Sequence, residues 1–281
     1  MAKKYDFQNL NSEKFIVLDI ETTGFSPDKG GRIIELGMVK INKNGDILDS
    51  YKEYFNPLMK IPKKITSITG IDDDMVKDAP YIFTELLKIS DFIGNYPVVC
   101  HNLQFDWNRF LLTYFKEIGI IKTNPTIDTL KLARYTFPNE DEYKLANCCL
   151  YCEVPMRVAH RAYDDAVMTS ECFVKMIELN QEEIDKTKPL IIKEKENTNP
   201  EIEIKRISYW EGHGYHRHYV NMFYNTSYLK VFYDIDNDYW KVNDEYDIEK
   251  IGNEINWHRI EESILKYTGT KNKEEFKKWR R

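Results

Sequence analysis

Asp19 and Glu21 are the first residues whose types and spacing could do chemistry. They follow the apolar run Phe15-Ile16-Val17-Leu18, which reads as a buried strand, and precede a breaker-rich loop from Thr22 to Gly31. Side chains at i and i+2 on a strand share a face, so the two carboxylates stand together at the strand's end. Like charges held that close resist joint ionisation, and a hard divalent cation is the usual compensation. A surface strand can carry the same pair without function, so the pair alone leaves both readings open. Other segments could supply partners: His101-Asn102-Leu103-Gln104-Phe105-Asp106, and His160-Arg161-Ala162-Tyr163-Asp164-Asp165-Ala166.

These groups are far apart in the chain, so a fold must bring them together. Residues 32–41 and 47–55 read as two more strands, joined by Asn42-Lys43-Asn44-Gly45-Asp46 with its Asn-Gly hairpin signal. The chain therefore opens as a three-stranded antiparallel meander. Ile82, Leu86, Ile89 and Ile93 recur at helical spacing, and Gly94 closes that helix. Residues 97–100 and 126–128 read as short strands, and residues 103–117, 129–135 and 162–179 as helices. Strands in a meander that then alternate with helices predict a mixed α/β domain.

The chain has 281 residues, which favours two domains over one. We expect a first domain over 1–180, a linker over 181–203 rich in Glu, Lys, Asn, Thr and Pro, and a smaller α+β domain over 204–281. The last 81 residues hold 16 of the 38 aromatic residues and four of the five tryptophans, an abrupt change of composition. Strands are expected there over 202–210, 215–224, 228–235 and 238–242, followed by helical pieces from Ile248 and from Arg259. Hydrophobic residues at 42% and charged residues at 31% fit a globular protein and exclude a fibrous or mostly disordered one. No apolar run approaches the roughly 20 residues a membrane-spanning helix needs. Nor does Met1–Phe7 resemble the apolar core of a secretory signal. Five cysteines, an odd number, fit reduced thiols, and the expected location is cytoplasmic. A net charge of -6 announces no nucleic-acid binder; a polyanionic substrate would need metal ions or local basic patches.

Together the segments Asp19-Ile20-Glu21-Thr22-Thr23-Gly24-Phe25, Arg32-Ile33-Ile34-Glu35-Leu36-Gly37, residues 101–106, Ile127 to Arg134, and residues 160–166 resemble the DnaQ-like 3'-5' exonucleases. The likeness is to the DEDDh subgroup, which includes the proofreading epsilon subunit of bacterial DNA polymerase III. It runs from about Lys14 to Leu179, about 60% of the chain. It implies an RNase H-like mixed five-stranded sheet flanked by helices. It also implies that Asp19, Glu21, Asp106 and Asp165 hold two divalent metal ions, Mg2+ or Mn2+, and that His160 is the general base. The His-to-Asp spacing selects Asp165 over Asp164, because neighbours on a helix point about 100° apart. Thr22, Thr23, Gly24, Phe25 and His101 fall in the substrate-binding set, with Phe25 able to stack on a base. Because His160 precedes the last helix, its loop is expected to be mobile and its ring able to turn away.

The activity implied is removal of nucleoside 5'-monophosphates from the 3' end of DNA, single strands favoured, with RNA trimming as the alternative. A non-catalytic binding scaffold is the reading from another class. A polymerase or repair protein is the partner expected for the C-terminal domain, whose aromatics could equally form its own core. Asp128 reads as a cap for the helix from Thr129, Phe105 as a core residue, and Gly24 as a plain turn residue if not a substrate contact. Cys149 and Cys152 make a single C-x-x-C, which we read as core rather than zinc ligands. His213, His216, His218 and His258 form a loose cluster that mixed strand polarity explains, with metal binding as the alternative. The basic and aromatic segment 271–281 suits either a helix end or a single-strand contact.

Overall fold

The computed structural model describes residues 5–190, 202–212, 215–224, 227–242 and 257–279. Strand β1, Lys14–Thr22, carries Asp19 and Glu21 and occupies the centre of a five-stranded sheet of order β3-β2-β1-β4-β5. It pairs antiparallel with β2, Ile33–Asn42, and parallel with β4, Val98–Cys100. The outer strands are β3, Ile47–Tyr54, antiparallel to β2, and β5, Thr126–Asp128, parallel to β4. Where a central strand is covered on both faces its residues must be apolar. Residues 15–18 are accordingly fully buried. The hairpin between β2 and β3 turns on Gly45 at φ 91, and the Asn42 side chain accepts the amides of Asn44 and Asp46.

The helices of this part of the chain are α1 Lys63–Thr69, α2 Asp73–Val76, α3 Ile82–Ile93, α4 Leu112–Glu117, α5 Thr129–Thr136, α6 Leu145–Tyr151, α7 Ala162–Leu179 and α8 Gln181–Ile184. The expected apolar face of α3, Ile82, Leu86, Ile89 and Ile93, is buried. One departure from the expected helices matters for chemistry. Residues Gln104–Leu111, expected as ordinary helix, wind as a π-helix before α4 begins. Such wide turns are rare and recur at functional sites.

Helix α7 lies against β1 and β2, and the register explains how. Phe15, Val17, Asp19 and Glu21 share one face of β1, opposite Ile41, Val39, Gly37 and Glu35 of β2. At the apolar end, Phe15 meets Phe173 of α7 edge-on, ring centroids 5.0 Å apart. At the acidic end, the first turn of α7 comes down on Gly37. A Cβ built there would lie 2.3 Å from the backbone nitrogen and Cα of Tyr163. Only glycine lets the helix start approach this closely.

The chain divides into two compact units. The first comprises Met1–Ile82, Lys88–Leu111 and Asn124–Glu194; the second groups Phe83–Leu87 and Leu112–Thr123 with the C-terminal segment. Within the stretch expected as linker, residues 181–190 are folded. Ile184 is buried in α8, and Asn11 binds the carbonyl and hydroxyl of Thr187. Residues 191–201 lie outside the described residues.

The second unit has a four-stranded antiparallel meander: β6 Ile202–Gly212, β7 Tyr215–Tyr224, β8 Ser227–Asp234 and β9 Tyr239–Val242. Among the described residues two further helices follow, α9 Trp257–Thr268 and α10 Lys273–Lys277. Its core gathers Tyr233, Trp240, Trp257, Ile260, Ile264 and Phe276, and Phe276 stacks on Trp240 at 5.9 Å. These aromatics fill an interior, one of the two roles expected of them. The expected helical piece from Ile248 lies outside the described residues, as do His213, Arg280 and Arg281. Among the described residues no helix is long and apolar enough to cross a membrane.

Candidate active site

Four carboxylates and one imidazole meet at the end of β1. Asp19 and Glu21 project from its α7-facing side, and Asp165 arrives from the first turn of α7. One ligand atom each from Glu21, His160 and Asp165 lie within 4.8 Å of one another. The ring of His160 therefore sits with the acids and is not turned away, although the residue is exposed. Its backbone is left-handed at φ 61, a conformation costing a non-glycine residue about 1–2 kcal/mol. Local bonds hold it there: the His160 amide donates to Asp165 Oδ2 at 2.9 Å, and the Asp165 amide donates to the Arg161 carbonyl at 2.9 Å. Asp106 reaches the same place from the π-helix, and its Oδ1 accepts the Ile20 amide at 3.2 Å. That bond fastens the π-helix to β1 midway between Asp19 and Glu21.

Acids outnumber the positive groups beside them in this cluster. Burial pushes the Asp19 carboxyl well above the usual range, and the nearby charges of Asp106, Asp165 and Glu21 add to it. Glu21 is raised to about 8, by burial first and then by Asp165, with Arg161 opposing. Asp106 is raised to about 8 by burial, despite the Ile20 amide. Asp165 is raised to about 6 by burial, with the His160 amide and ring opposing. Hard oxygen donors crowded until they resist ionisation suit a divalent cation. Asp164, beside Asp165, is not part of the group that includes Glu21 and His160.

The candidate substrate end lies where β1 runs out. Thr22 donates its hydroxyl to the Gly24 carbonyl at 2.7 Å, and the Thr23 hydroxyl accepts the Arg32 amide at 2.9 Å. Both threonines are buried and shape the turn. Beyond them Phe25 is 80% exposed, a large apolar ring in solvent, while its carbonyl accepts from Arg109 of the π-helix at 3.1 Å. His101 is placed differently from a free contact residue. Its Nδ1 meets the Thr129 hydroxyl at 3.0 Å and its Nε2 the Tyr143 carbonyl at 2.9 Å. Any ring-nitrogen contact with a substrate must displace one of these bonds. Asp128 caps α5 through the Leu130 amide and also accepts the Asn102 amide. Phe105 is half-buried, packed on Phe110 at 5.2 Å.

Two residues to which no role was assigned stand beside the site. Glu35 is fully buried and Arg161 pairs with it. The available signal was an acid inside the apolar run Ile33-Ile34-Glu35-Leu36, where a buried charge demands a partner. The remaining sequence signals sit elsewhere. Cys149 and Cys172 pack Sγ to Sγ at 3.6 Å in the core between α6 and α7. His216 holds Asp236, His258 holds Glu262, and His218 is buried against Phe276. In the closing segment Phe276 is core, while Lys273 and Lys277 reach Asp238.

Known proteins resemble this chain in sequence and in fold. The chain is 42% identical over 169 residues to a PolC-type DNA polymerase III of Caldanaerobacter subterraneus subsp. tengcongensis, covering 60% of this chain and 12% of that protein. The PolC-type enzyme of Bacillus subtilis is 35% identical over 169 residues, again covering 60% of this chain and 12% of the relative. The chain thus spans about one eighth of the length of these relatives. Among solved structures, the nuclease domain of 3'hExo, a DEDDh family member bound to rAMP, superposes with a TM-score of 0.51 at 20% identity. That match covers 65% of this chain and 97% of the other. The zinc-bound E. coli ExoI–ssDNA complex gives 0.52 at 16% identity, over 62% of this chain and 42% of the other. These two show the fold, an RNase H-like mixed sheet. The model of the exonuclease family, RNase_T, matches residues 16–173, more than half of the chain, and the chain belongs to that family.

Proposed function

We propose that this protein is a metal-dependent 3'-5' exonuclease that hydrolyses phosphodiester bonds at the 3' end of DNA, single strands favoured, and releases nucleoside 5'-monophosphates. The observation that carries the reading is the convergence of Glu21, His160 and Asp165 within 4.8 Å, beside buried Asp106 and the raised carboxyl of Asp19. Asp19, Glu21, Asp106 and Asp165 would hold two divalent ions, which when bound neutralise charge at the attacking and leaving oxygens. His160 accepts the proton of the attacking water, the general-base role that imidazole fills most often. The threonine turn and the exposed ring of Phe25 support a stop for the terminal nucleotide, and so attack at a chain end; the 3' polarity is what the family resemblance implies. DNA is favoured over RNA because the curated relatives are DNA polymerases III.

A 5'-labelled single strand incubated with Mg2+, Mn2+ or EDTA tests this directly. We expect a ladder with either metal and none with EDTA, and Asp19→Ala should abolish it while the fold persists. Turnover that survives Asp19→Ala refutes the site. DNA and RNA oligonucleotides of one sequence, compared by kcat/KM, decide the substrate. The DNA polymerase III relatives also support a cytoplasmic setting; a polymerase or repair protein is the partner we propose for the C-terminal unit. Unchanged processivity after deletion of residues 201–281 would remove a role for that unit in handling the strand.

A further inference from the structure

We infer that Glu35, Arg161 and Tyr54 form a positioning clamp that holds His160 over the acidic cluster; the inference rests on His160 acting as the base of the proposed reaction. Three cross-strand partners make a row on one face of the sheet: Glu21 of β1, Glu35 of β2 and Tyr54 of β3. Arg161 lies across that row. Its Nε and Nη2 donate to the two oxygens of Glu35 at 3.3 and 3.2 Å. It also donates to the Tyr54 hydroxyl, with its guanidinium 5.4 Å from the ring centroid.

Glu35 does a second job. Helix α7 begins after Arg161, which supplies no side-chain cap of its own. Glu35 Oε2 accepts the Ala162 amide at 3.1 Å instead, so a carboxylate on β2 caps α7 from outside the helix. A negative group at a helix N-terminus is favourable both as hydrogen-bond acceptor and against the helix dipole. The residue before this anchor is His160, left-handed at φ 61. That conformation persists only where its surroundings over-determine it. The anchors are the Ala162 amide on Glu35, the Arg161 fork on Glu35 and Tyr54, and the His160 amide on Asp165. Removal of the first two leaves His160 held from one side only.

None of the three residues supplies a metal ligand in the proposed site, so their loss should act through position. A base displaced by about 1 Å costs on the order of 100-fold in rate. In the full-length protein we expect Glu35→Gln to lower kcat about 100-fold on a 5'-labelled single strand with Mn2+, with KM within threefold of wild type. Arg161→Lys keeps the charge but loses the fork, and should lower kcat about tenfold. Tyr54→Phe keeps the ring and should lower it less. The double variant Glu35→Gln/Arg161→Lys should lose no more than about the worse single, the signature of one unit.

A second readout is independent of turnover. Amide hydrogen exchange of His160 and Ala162 should accelerate in Glu35→Gln, while strand β4 stays protected. If the wild type produces no ladder, the proposed reaction fails and the clamp is judged by exchange alone. Wild-type exchange at both amides in Glu35→Gln and Arg161→Lys overturns the clamp. So does a kcat within threefold of wild type in both, if the wild type digests. Should Glu35→Gln fail to fold, Arg161→Lys and Tyr54→Phe carry the same test.

Discussion

Gly37→Ala is a one-methyl perturbation whose consequence follows from distances. The added Cβ would lie 2.3 Å from the Tyr163 backbone nitrogen and Cα and 2.4 Å from the Ala162 carbonyl carbon, whereas ordinary contact begins at 3.4 Å. The shortfall, 3.4 minus 2.3, is 1.1 Å, and all three atoms are backbone. No side chain can rotate away, so β2 and the start of α7 must separate by about 1 Å. Gly37 lies opposite Asp19, and the displaced turn carries Asp165 and follows His160. Relative to Glu21 and Asp19 on β1, the base and one carboxylate therefore shift by about the same distance. Overpacking of this kind costs about 1–3 kcal/mol in stability, and a 1 Å misplacement about 100-fold in rate. The assay is kcat on a 5'-labelled single strand with Mn2+, alongside thermal unfolding.

Gly269→Ala is the control. Its φ of +72 strains any other residue, but nothing lies within 4 Å of the new Cβ. It should cost stability on the order of 1 kcal/mol and leave the rate alone. A Gly37→Ala enzyme with kcat within twofold of wild type and unchanged unfolding would refute the close approach of α7 to β2.

Other perturbations read separate parts of the structure. Phe25→Ala removes an exposed ring, so stability should move by less than about 0.5 kcal/mol. Loss of one base stack, about 1–3 kcal/mol, should weaken single-strand binding about 5- to 150-fold; unchanged KM and Kd would remove the stacking role. Glu21 and Asp106 are each raised to about 8, so the metal-free folded state binds more protons than the unfolded chain between about pH 4 and 8. Its stability should therefore fall as pH rises through that window, each tenfold gain in proton affinity counting about 1.36 kcal/mol. Mg2+ or Mn2+ binds the ionised carboxyls and should raise the melting temperature more at pH 8 than at pH 5; equal gains would contradict the crowded cluster. Phe276→Ala empties the core of the second unit, where the ring is 1% exposed, and should cost about 3–5 kcal/mol by tryptophan fluorescence. A loss below 1 kcal/mol would place that ring at a surface.

Much of the site was legible because its chemistry is written in local patterns. Asp19 and Glu21 share a face because a strand alternates, whatever surrounds it. The apolar run before them demanded a covered strand, and the Asn-Gly pair between β2 and β3 demanded a turn. Asp128 could be read as a cap from its place before Thr129. The spacing of His160 and Asp165 carried meaning only through the family resemblance, since five residues of chain span many distances.

Other features depend on contacts between residues distant in sequence, to which periodicity is blind. The π-helix that delivers Asp106 has the same apolar pattern as an α-helix; the bond from its carboxylate to the Ile20 amide marks where it meets β1. His101 was a candidate contact by motif, yet tertiary structure binds both of its ring nitrogens inside the protein. Residues 181–190 look like linker by composition, but the buried Ile184 and the bonds to Asn11 fold them onto the chain's beginning. The sequence by itself determined which groups could do chemistry, because residue type and local geometry are properties of short segments. Only the tertiary structure decided how they are held, because Gly37 under Tyr163 and Glu35 under Arg161 are contacts across more than a hundred residues.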